Sequence, residues 1–318
     1  MSRAVSRVIH TGQALVDVVV EVPDLPARGQ NVMASSATDY AGGAVTVLVA
    51  AARFGAECVH AGAHGTGPHG DLVRAALAAE GIGASAPPVA DVDTGICVVM
   101  VEPSAERTFV TTLGAERRIS VDSLATSDPS PGELVCVTGF SLALDSTRAP
   151  LLAWLPTLHP DVVVVLDPGA AFAGLPEDVR AAMLEVTDVW SSNAEEAEDL
   201  LREVGQQPPT DLPGLTAAIA PLLRGEAVAV VRDGPEGCAV HVAGETTYVP
   251  GFPQTAVDTN GAGDTHTGAL LAEVAAGTTW VEGCRRANAA AAIKVTRRGP
   301  ASAPTTSEVD EFLASVAR

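Results

Sequence analysis

Short apolar runs alternate with amphipathic and alanine-rich stretches along this chain. Val8–Val22 predicts one or two strands, with Leu15-Val16-Asp17-Val18-Val19-Val20 β-branched around a single acid. Pro23 to Gln30 reads as a turn or loop region. Val45–Phe54 suits a buried helix stopped by Gly55, Cys58–Ala63 a short strand, and Asp71–Glu80 a helix closed by Gly81. Ile96–Val101 and Arg107–Thr112 pair as a hairpin. From residue 133 the rhythm becomes regular. Leu134–Thr138, Val162–Asp167, Val186–Ser191 and Ala227–Arg232 are strand-like, and Pro176–Glu185 and Ala194–Val204 are helix-like. Cys238–Val242 and Thr246–Pro250 predict an antiparallel edge hairpin, followed by two long helices, Ala262–Ala276 and Val281–Val295.

Alternating strands and helices predict an α/β fold with a mostly parallel sheet flanked by helices. Residues 12–40 and 92–118 break that rhythm and are rich in strand formers. They are expected to form a small β appendage on one α/β domain spanning residues 1–318. With apolar residues at 47% of 318 and aromatics at only 3%, the core must be built from Ala, Val and Leu.

The formal charge of −20 disfavours nucleic acid and anionic membranes as partners. An anionic ligand must then be held by backbone N–H groups, helix dipoles, metal ions and a few placed arginines. The five cysteines are scattered through apolar runs without a C-x-x-C pair, as expected of reduced thiols in the cytoplasm. Arg3 and Arg7 precede an apolar run that Asp17 and Glu21 interrupt, so neither a signal peptide nor a membrane span is expected.

The most informative stretch is Asp258-Thr259-Asn260-Gly261-Ala262-Gly263-Asp264-Thr265, which opens an apolar helix. Two glycines one residue apart allow a sharp turn and a close approach to a ligand. The N–H groups of the first helical turn, aided by the helix dipole, form an anion site. A carboxylate repels phosphate, so Asp264 suits a general base acting on a hydroxyl, beside an N–H cradle that stabilises a transferred phosphoryl group. Gly-x-Gly-Asp also opens ordinary helices, and on these residues alone both readings stay open.

Asp-Thr-x-Gly-Ala-Gly-Asp resembles the signature of the ribokinase-like (PfkB-type) carbohydrate kinases, and the resemblance runs along almost the whole chain. It implies a ribokinase-like fold, ATP-dependent phosphoryl transfer to a sugar-like hydroxyl, Asp264 as catalytic base and Gly261, Ala262 and Gly263 as the anion hole. Gly12 and Asp17 resemble the family's first strand, whose Asp contacts sugar hydroxyls. Gly42-Gly43, with Val49-Ala50-Ala51-Ala52-Arg53-Phe54-Gly55, resembles its substrate loop and helix. Asn193-Ala194-Glu195-Glu196 matches its Asn-x-x-Glu, implying that Glu196 organises Mg²⁺ and phosphate. Arg232-Asp233-Gly234-Pro235-Glu236-Gly237 sits where the family has a nucleotide-binding turn, and Asn288 at a position lining the adenine pocket. Asp258 is implied to support a monovalent cation such as K⁺. The β appendage becomes a lid, through which some members dimerise. Thr46 replaces the usual Asn of the substrate loop, Ala44 the Lys of ribokinases, Thr265-His266 the usual Ala-Phe, and Arg232 a common Thr. These departures bear on the substrate more than on the chemistry. Arg107, on a predicted lid strand, is either a solvated charge or a contact to a substrate carboxylate or phosphate.

Other motifs lead elsewhere and fail. Gly65-Thr66-Gly67-Pro68-His69-Gly70 is a literal G-x-G-x-x-G, but Pro87-Pro88 interrupts the strand that a dinucleotide site needs. Gly139-Phe140-Ser141-Leu142-Ala143 lacks the final Gly of a nucleophile elbow. A Walker A loop needs Lys, and Lys294, the only lysine, follows Ala-Ala-Ile; it is expected near the end of the last helix, answering the dipole. Seven scattered histidines offer no H-E-x-x-H, and no structural metal is expected. The reading is an ATP-dependent kinase of a sugar, sugar acid or polyol. A nucleoside kinase of the same fold, disfavoured by the scarcity of aromatic rings, and a non-catalytic sugar- or nucleotide-binding protein are the alternatives.

Overall fold

Thirteen strands form two sheets in the computed structural model, which describes residues 6–104 and 106–316; Arg3 lies outside the described residues. The large sheet contains β1 (Val8–His10), β4 (Cys58–His60), β5 (Gly83–Ala84), β8 (Leu134–Thr138), β9 (Val163–Asp167), β10 (Val189–Asn193), β11 (Val228–Arg232), β12 (Gly237–Val242) and β13 (Glu245–Pro250). Their order is β13-β12-β11-β10-β9-β8-β1-β4-β5. All neighbouring pairs from β11 to β5 are parallel, and β12 and β13 close one edge as an antiparallel hairpin.

The small sheet takes β2 (Ala14–Glu21), β3 (Ser36–Gly43), β6 (Ile96–Val101) and β7 (Arg107–Thr111), in the order β3-β2-β6-β7. Thr11, Gly12 and Gln13 alone separate β1 in the large sheet from β2 in the small one. On the return, β3 runs directly into the helix Ala44–Arg53.

Both faces of the large sheet are covered at its centre, so β8, β9 and β11 read as near-continuous apolar runs rich in Val and Leu. One apolar layer joins Val8, Val165 and Val230 to the alanine-rich helices Ala262–Ala275 and Trp280–Lys294. The other joins Ile9, Val164 and Val231 to Trp190, which meets Phe172 edge-to-face at 5.8 Å. Small side chains let the helices approach closely, which is how a core poor in aromatic residues reaches close packing. All five cysteines are buried and free. No helix among the described residues is long and apolar enough to cross a membrane.

Several sequence expectations need correction. The run Val186–Ser191 does not start a strand: Val186 closes the helix Glu177–Val186, and β10 begins at Val189 and runs to Asn193. Helices Asp145–Trp154, Leu212–Ile219 and Thr306–Val316 were not predicted. Lys294 ends the penultimate helix rather than the last.

Candidate active site

Ligands of open parallel sheets gather beyond the carboxyl ends of the strands. Here those ends carry Asp167, Asn193 and Arg232, the last residues of β9, β10 and β11. Asn193 and Arg232 are register partners, and Asp167 pairs with Thr138 on the other side. Together they line a cavity of about 580 Å³ that also receives Glu196, Gly234, Gly237, Ala262, Gly263, Asp264 and Asn288.

The helix Ala262–Ala275 starts at this cavity. Gly261 is its N-cap in the left-handed region (φ 78°), and no side chain caps the helix. Ala262 N–H donates to Thr259 O at 3.2 Å, while the N–H groups of Gly263 and Asp264 make no backbone hydrogen bond among the described residues. They are the orphan donors of a first helical turn, and they border the cavity. Arg232 reaches across from the sheet. Its Nε donates to Ser192 O at 3.0 Å, its Nη2 to Ser191 O at 3.3 Å, and Nη2 lies 3.9 Å from Asp167 Oδ2. Only the missing side chain of Gly263 makes room for it: a Cβ there would sit 2.6 Å from Arg232 Nη1.

Asp264 is half-buried on the first turn. Desolvation, followed by the nearby charge of Asp167, pushes its carboxyl up to about 7; Arg232 opposes the shift, and Asp17 and Glu196 reinforce it. Burial also raises Asp167 against the pull of Arg232, and burial followed by Asp167 raises Glu196. Carboxylates thus converge on one arginine and a set of free N–H groups.

Three sequence-predicted residues have local duties besides facing the cavity. Asn193 and Glu196 form a reciprocal capping box: Glu196 N–H donates to Asn193 Oδ1 at 2.8 Å, and Asn193 N–H to Glu196 Oε2 at 3.0 Å. Asn288 is held by His266, whose Nε2 lies 3.0 Å from Asn288 Oδ1, while Asn288 Nδ2 donates to Val249 O and Pro250 O at 3.1 and 3.2 Å. The amide is therefore spent on the cavity wall.

Asp17, Gly42, Gly43, Thr46, Arg107, Gly261 and Asp258 do not line that cavity. Asp17, on β2, packs against Gly42 so tightly that a Cβ on Gly42 would meet Asp17 Oδ2 at 2.3 Å. Desolvation pushes the Asp17 carboxyl up to about 6, opposed by a hydrogen bond with the Asn260 side chain. Gly43 caps the helix Ala44–Arg53. Thr46, in its first turn, has a buried hydroxyl without a partner, and its Cγ2 lies 2.9 Å from a Cβ built on Gly261. Arg107 Nη2 donates to Thr259 Oγ1 at 2.7 Å, tying β7 of the small sheet to the loop before the glycine turn at Gly261. Arg107, Asp258, Thr259 and Asn260 line a second cavity of about 360 Å³ against the small sheet, and Thr259 borders both cavities.

Sequence reasoning missed Asp167, Asn260 and the anchoring of Asn288 by His266. Asp167 was detectable as an acid at the carboxyl end of a predicted parallel strand.

Residues 5–307 match the pfkB family of carbohydrate kinases. The chain is 31% identical over 308 residues to the uncharacterized sugar kinase YegV of Escherichia coli (strain K12), covering 95% of this chain and 92% of that one. It is 28% identical over 305 residues to the ribokinase of Haemophilus influenzae, covering 95% and 96% of the two chains. Among solved structures, the ribokinase of Thermotoga maritima superposes with a TM-score of 0.79 at 22% identity over 97% of this chain and 99% of that one. The adenosine kinase of Sinorhizobium meliloti gives 0.81 at 19% identity, over 99% and 100%. These likenesses show a ribokinase-like fold. With the family match spanning nearly the whole chain, this protein belongs to the pfkB family of carbohydrate kinases and is an ATP-dependent kinase.

Proposed function

We propose that this kinase transfers the γ-phosphoryl group of ATP to a primary hydroxyl of a sugar, sugar acid or polyol, with Asp264 as general base. One observation carries the reading. Asp264, its carboxyl held near 7, sits on a helical turn with free N–H groups and lines, with Arg232, the larger cavity, which shares Thr259 with the second. The acceptor oxygen attacks the γ-phosphorus as its proton passes to the Asp264 carboxylate, and the bond to the β–γ bridging oxygen breaks to release ADP. The Gly263 and Asp264 N–H groups and the Arg232 guanidinium stabilise charge on the transferred phosphoryl oxygens.

The nucleotide fits the larger cavity, with Pro235, Ala291, Ala292 and Val295 walling its base end and Gly263, Arg232 and Asn193 its phosphate end. Asp167 and Glu196 supply hard oxygen ligands of the kind Mg²⁺ takes, directly or through water; burial raises both carboxyls, the charge of Asp167 adds to the rise of Glu196, and a cation there would favour their ionised forms. Mg²⁺ there would neutralise the phosphates. Asp17, Gly42, Gly43 and the free Thr46 hydroxyl hold the acceptor, with the small sheet and Arg107 as its cover. That cover ends in exposed Phe109 and Val110 on the edge strand β7, which supports pairing of two lids in a homodimer. The five buried free thiols support a cytoplasmic setting.

The test is ADP release from Mg-ATP against a panel of sugars, sugar acids, polyols, phosphosugars and nucleosides, beside Asp264→Asn. Turnover of one compound that collapses in the variant supports the reading. Turnover that survives in Asp264→Asn removes the base assignment, and nucleotide binding without turnover of any compound favours a binding protein.

A further inference from the structure

Lys294 is the only lysine of the chain, and its side chain is 0% exposed. A lone buried ammonium is expensive to desolvate and needs acceptors. It has them in the two loops behind the proposed anion hole. Nζ donates to Asp258 O at 2.9 Å and to Arg297 O at 3.3 Å, and lies 3.9 Å from Asp258 Oδ2. The same loops are laced together elsewhere. Asp258 Oδ2 accepts from Gly299 N–H at 2.9 Å, Asp258 Oδ1 from Asn260 N–H at 2.8 Å, and Val257 N–H donates to Val295 O at 2.7 Å. A Cβ on Gly261 would touch Pro300 O at 2.5 Å, so the second loop directly backs the turn that opens the helix Ala262–Ala275.

The family resemblance implies a monovalent cation beside Asp258. The residues present do not fit one. A cation held beside Asp258 would share its oxygens with Lys294, whose Nζ already donates to Asp258 O and lies 3.9 Å from Oδ2, and an ammonium group has the charge and nearly the radius of a potassium ion. A second cation on the same oxygen would meet like-charge repulsion at contact distance. Burial lowers the Lys294 pKa, while the charge of Asp258 acts to keep it protonated.

We infer that Lys294 is the resident cation of the phosphoryl-transfer loop: its ammonium takes the place of a monovalent metal ion, joins loops 257–261 and 295–300, and makes the enzyme independent of added potassium. Lys294 touches no reacting atom and acts as a positioning residue through Asp258 and Gly261. The inference rests on the kinase reading above for its kinetic arm only.

The first test needs no variant. Wild-type turnover at matched ionic strength should differ by less than about twofold among K⁺, Na⁺ and N-methylglucamine salts. Specific activation by K⁺ would overturn the inference. Lys294→Ala should lose turnover on the order of 10²-fold and regain part of it, saturably, with K⁺ or methylammonium. Lys294→Met, whose side chain fills the space without charge, should be slow and unresponsive. Melting temperature gives a readout independent of turnover: K⁺, but not choline, should raise it in Lys294→Ala and leave the wild type unchanged. A K⁺ shift in the wild type, or none in a folded Lys294→Ala, counts against the inference even if no acceptor is ever found. Failure to find an acceptor while the melting arms behave as expected counts against the kinase reading alone.

Discussion

The guanidinium of Arg232 lies over the α-carbon of Gly263, within 2.6 Å of where a side chain on that glycine would begin. The contact sets a cation from the sheet against the free N–H groups of the helix, the arrangement that developing negative charge on a phosphoryl group requires. Arg232→Ala should lower kcat by about 10²–10³-fold. Gly263→Ala should lower it too, by displacing the arginine, while the KM for the acceptor changes little. Equal effects on both KM values and none on kcat would make Arg232 a simple ground-state anchor.

Asp264→Asn should reduce kcat by about 10²–10⁴-fold or more. In the free wild-type enzyme, kcat/KM should rise with pH through about 7 as the carboxyl ionises. The stability effect has the opposite sign. The folded value is raised from 3.8 to about 7, so between those values the folded state holds a proton that the unfolded chain has lost. Wild-type stability therefore falls as pH rises through that window. Asp264→Asn should melt higher than the wild type at pH 8, with the gap closing below the unfolded value. Calorimetry across pH checks both statements.

Asp167 faces the larger cavity at the end of β9, beside Glu196 and Arg232. Asp167→Asn should raise the Mg²⁺ concentration for half-maximal activity by about 10–100-fold. A Mg²⁺ titration at fixed ATP reads this, and an unchanged midpoint would leave Asp167 as a partner of Arg232 only.

Arg107 joins the small sheet to Thr259, the residue shared by both cavities. Arg107→Ala should raise the acceptor KM by about tenfold, the worth of one charge-assisted hydrogen bond. It should also speed ATP hydrolysis in the absence of acceptor, because a looser cover admits water. Unaltered acceptor KM would mark this arginine as a surface charge.

Exposed Phe109 and Val110, at 55% and 56% of their surface, lie on β7, whose outer edge pairs with no strand among the described residues. Light scattering should report a dimer for the wild type and a monomer for Phe109→Glu.

Much of this architecture was legible before the structure. Strands β8, β9 and β11 follow their apolar runs, because both faces of a parallel sheet are buried and the run must be continuous, whereas β10 begins three residues into the run Val186–Ser191 and ends in Ser-Ser-Asn. Two of the missed helices carry prolines that read as breakers: Pro150 lies inside Asp145–Trp154, and Pro213 near the start of Leu212–Ile219. The helix Thr306–Val316 had a readable start, since Thr305 and Glu308 bond reciprocally as a capping box. Strand β3 carries little apolar alternation and owes its form to pairing with β2 along its whole length. In the site, the glycines and Asp264 were legible because backbone approach and a helix start leave local signatures. Asn260 and the duty of Lys294 were not, because each depends on a neighbour distant in sequence.

The three-residue passage from β1 to β2 and the direct run of β3 into its helix divide the labour of the chain between two bodies. Asp17, Gly42 and Arg107 belong to the small sheet, whereas Asp264, Arg232, Asp167 and Glu196 belong to the large layer. On the proposed reading, changes in the small sheet alter which molecule is accepted without disturbing the groups proposed to move the phosphoryl. Such a chain is free to exchange one diet for another over evolutionary time while keeping its engine.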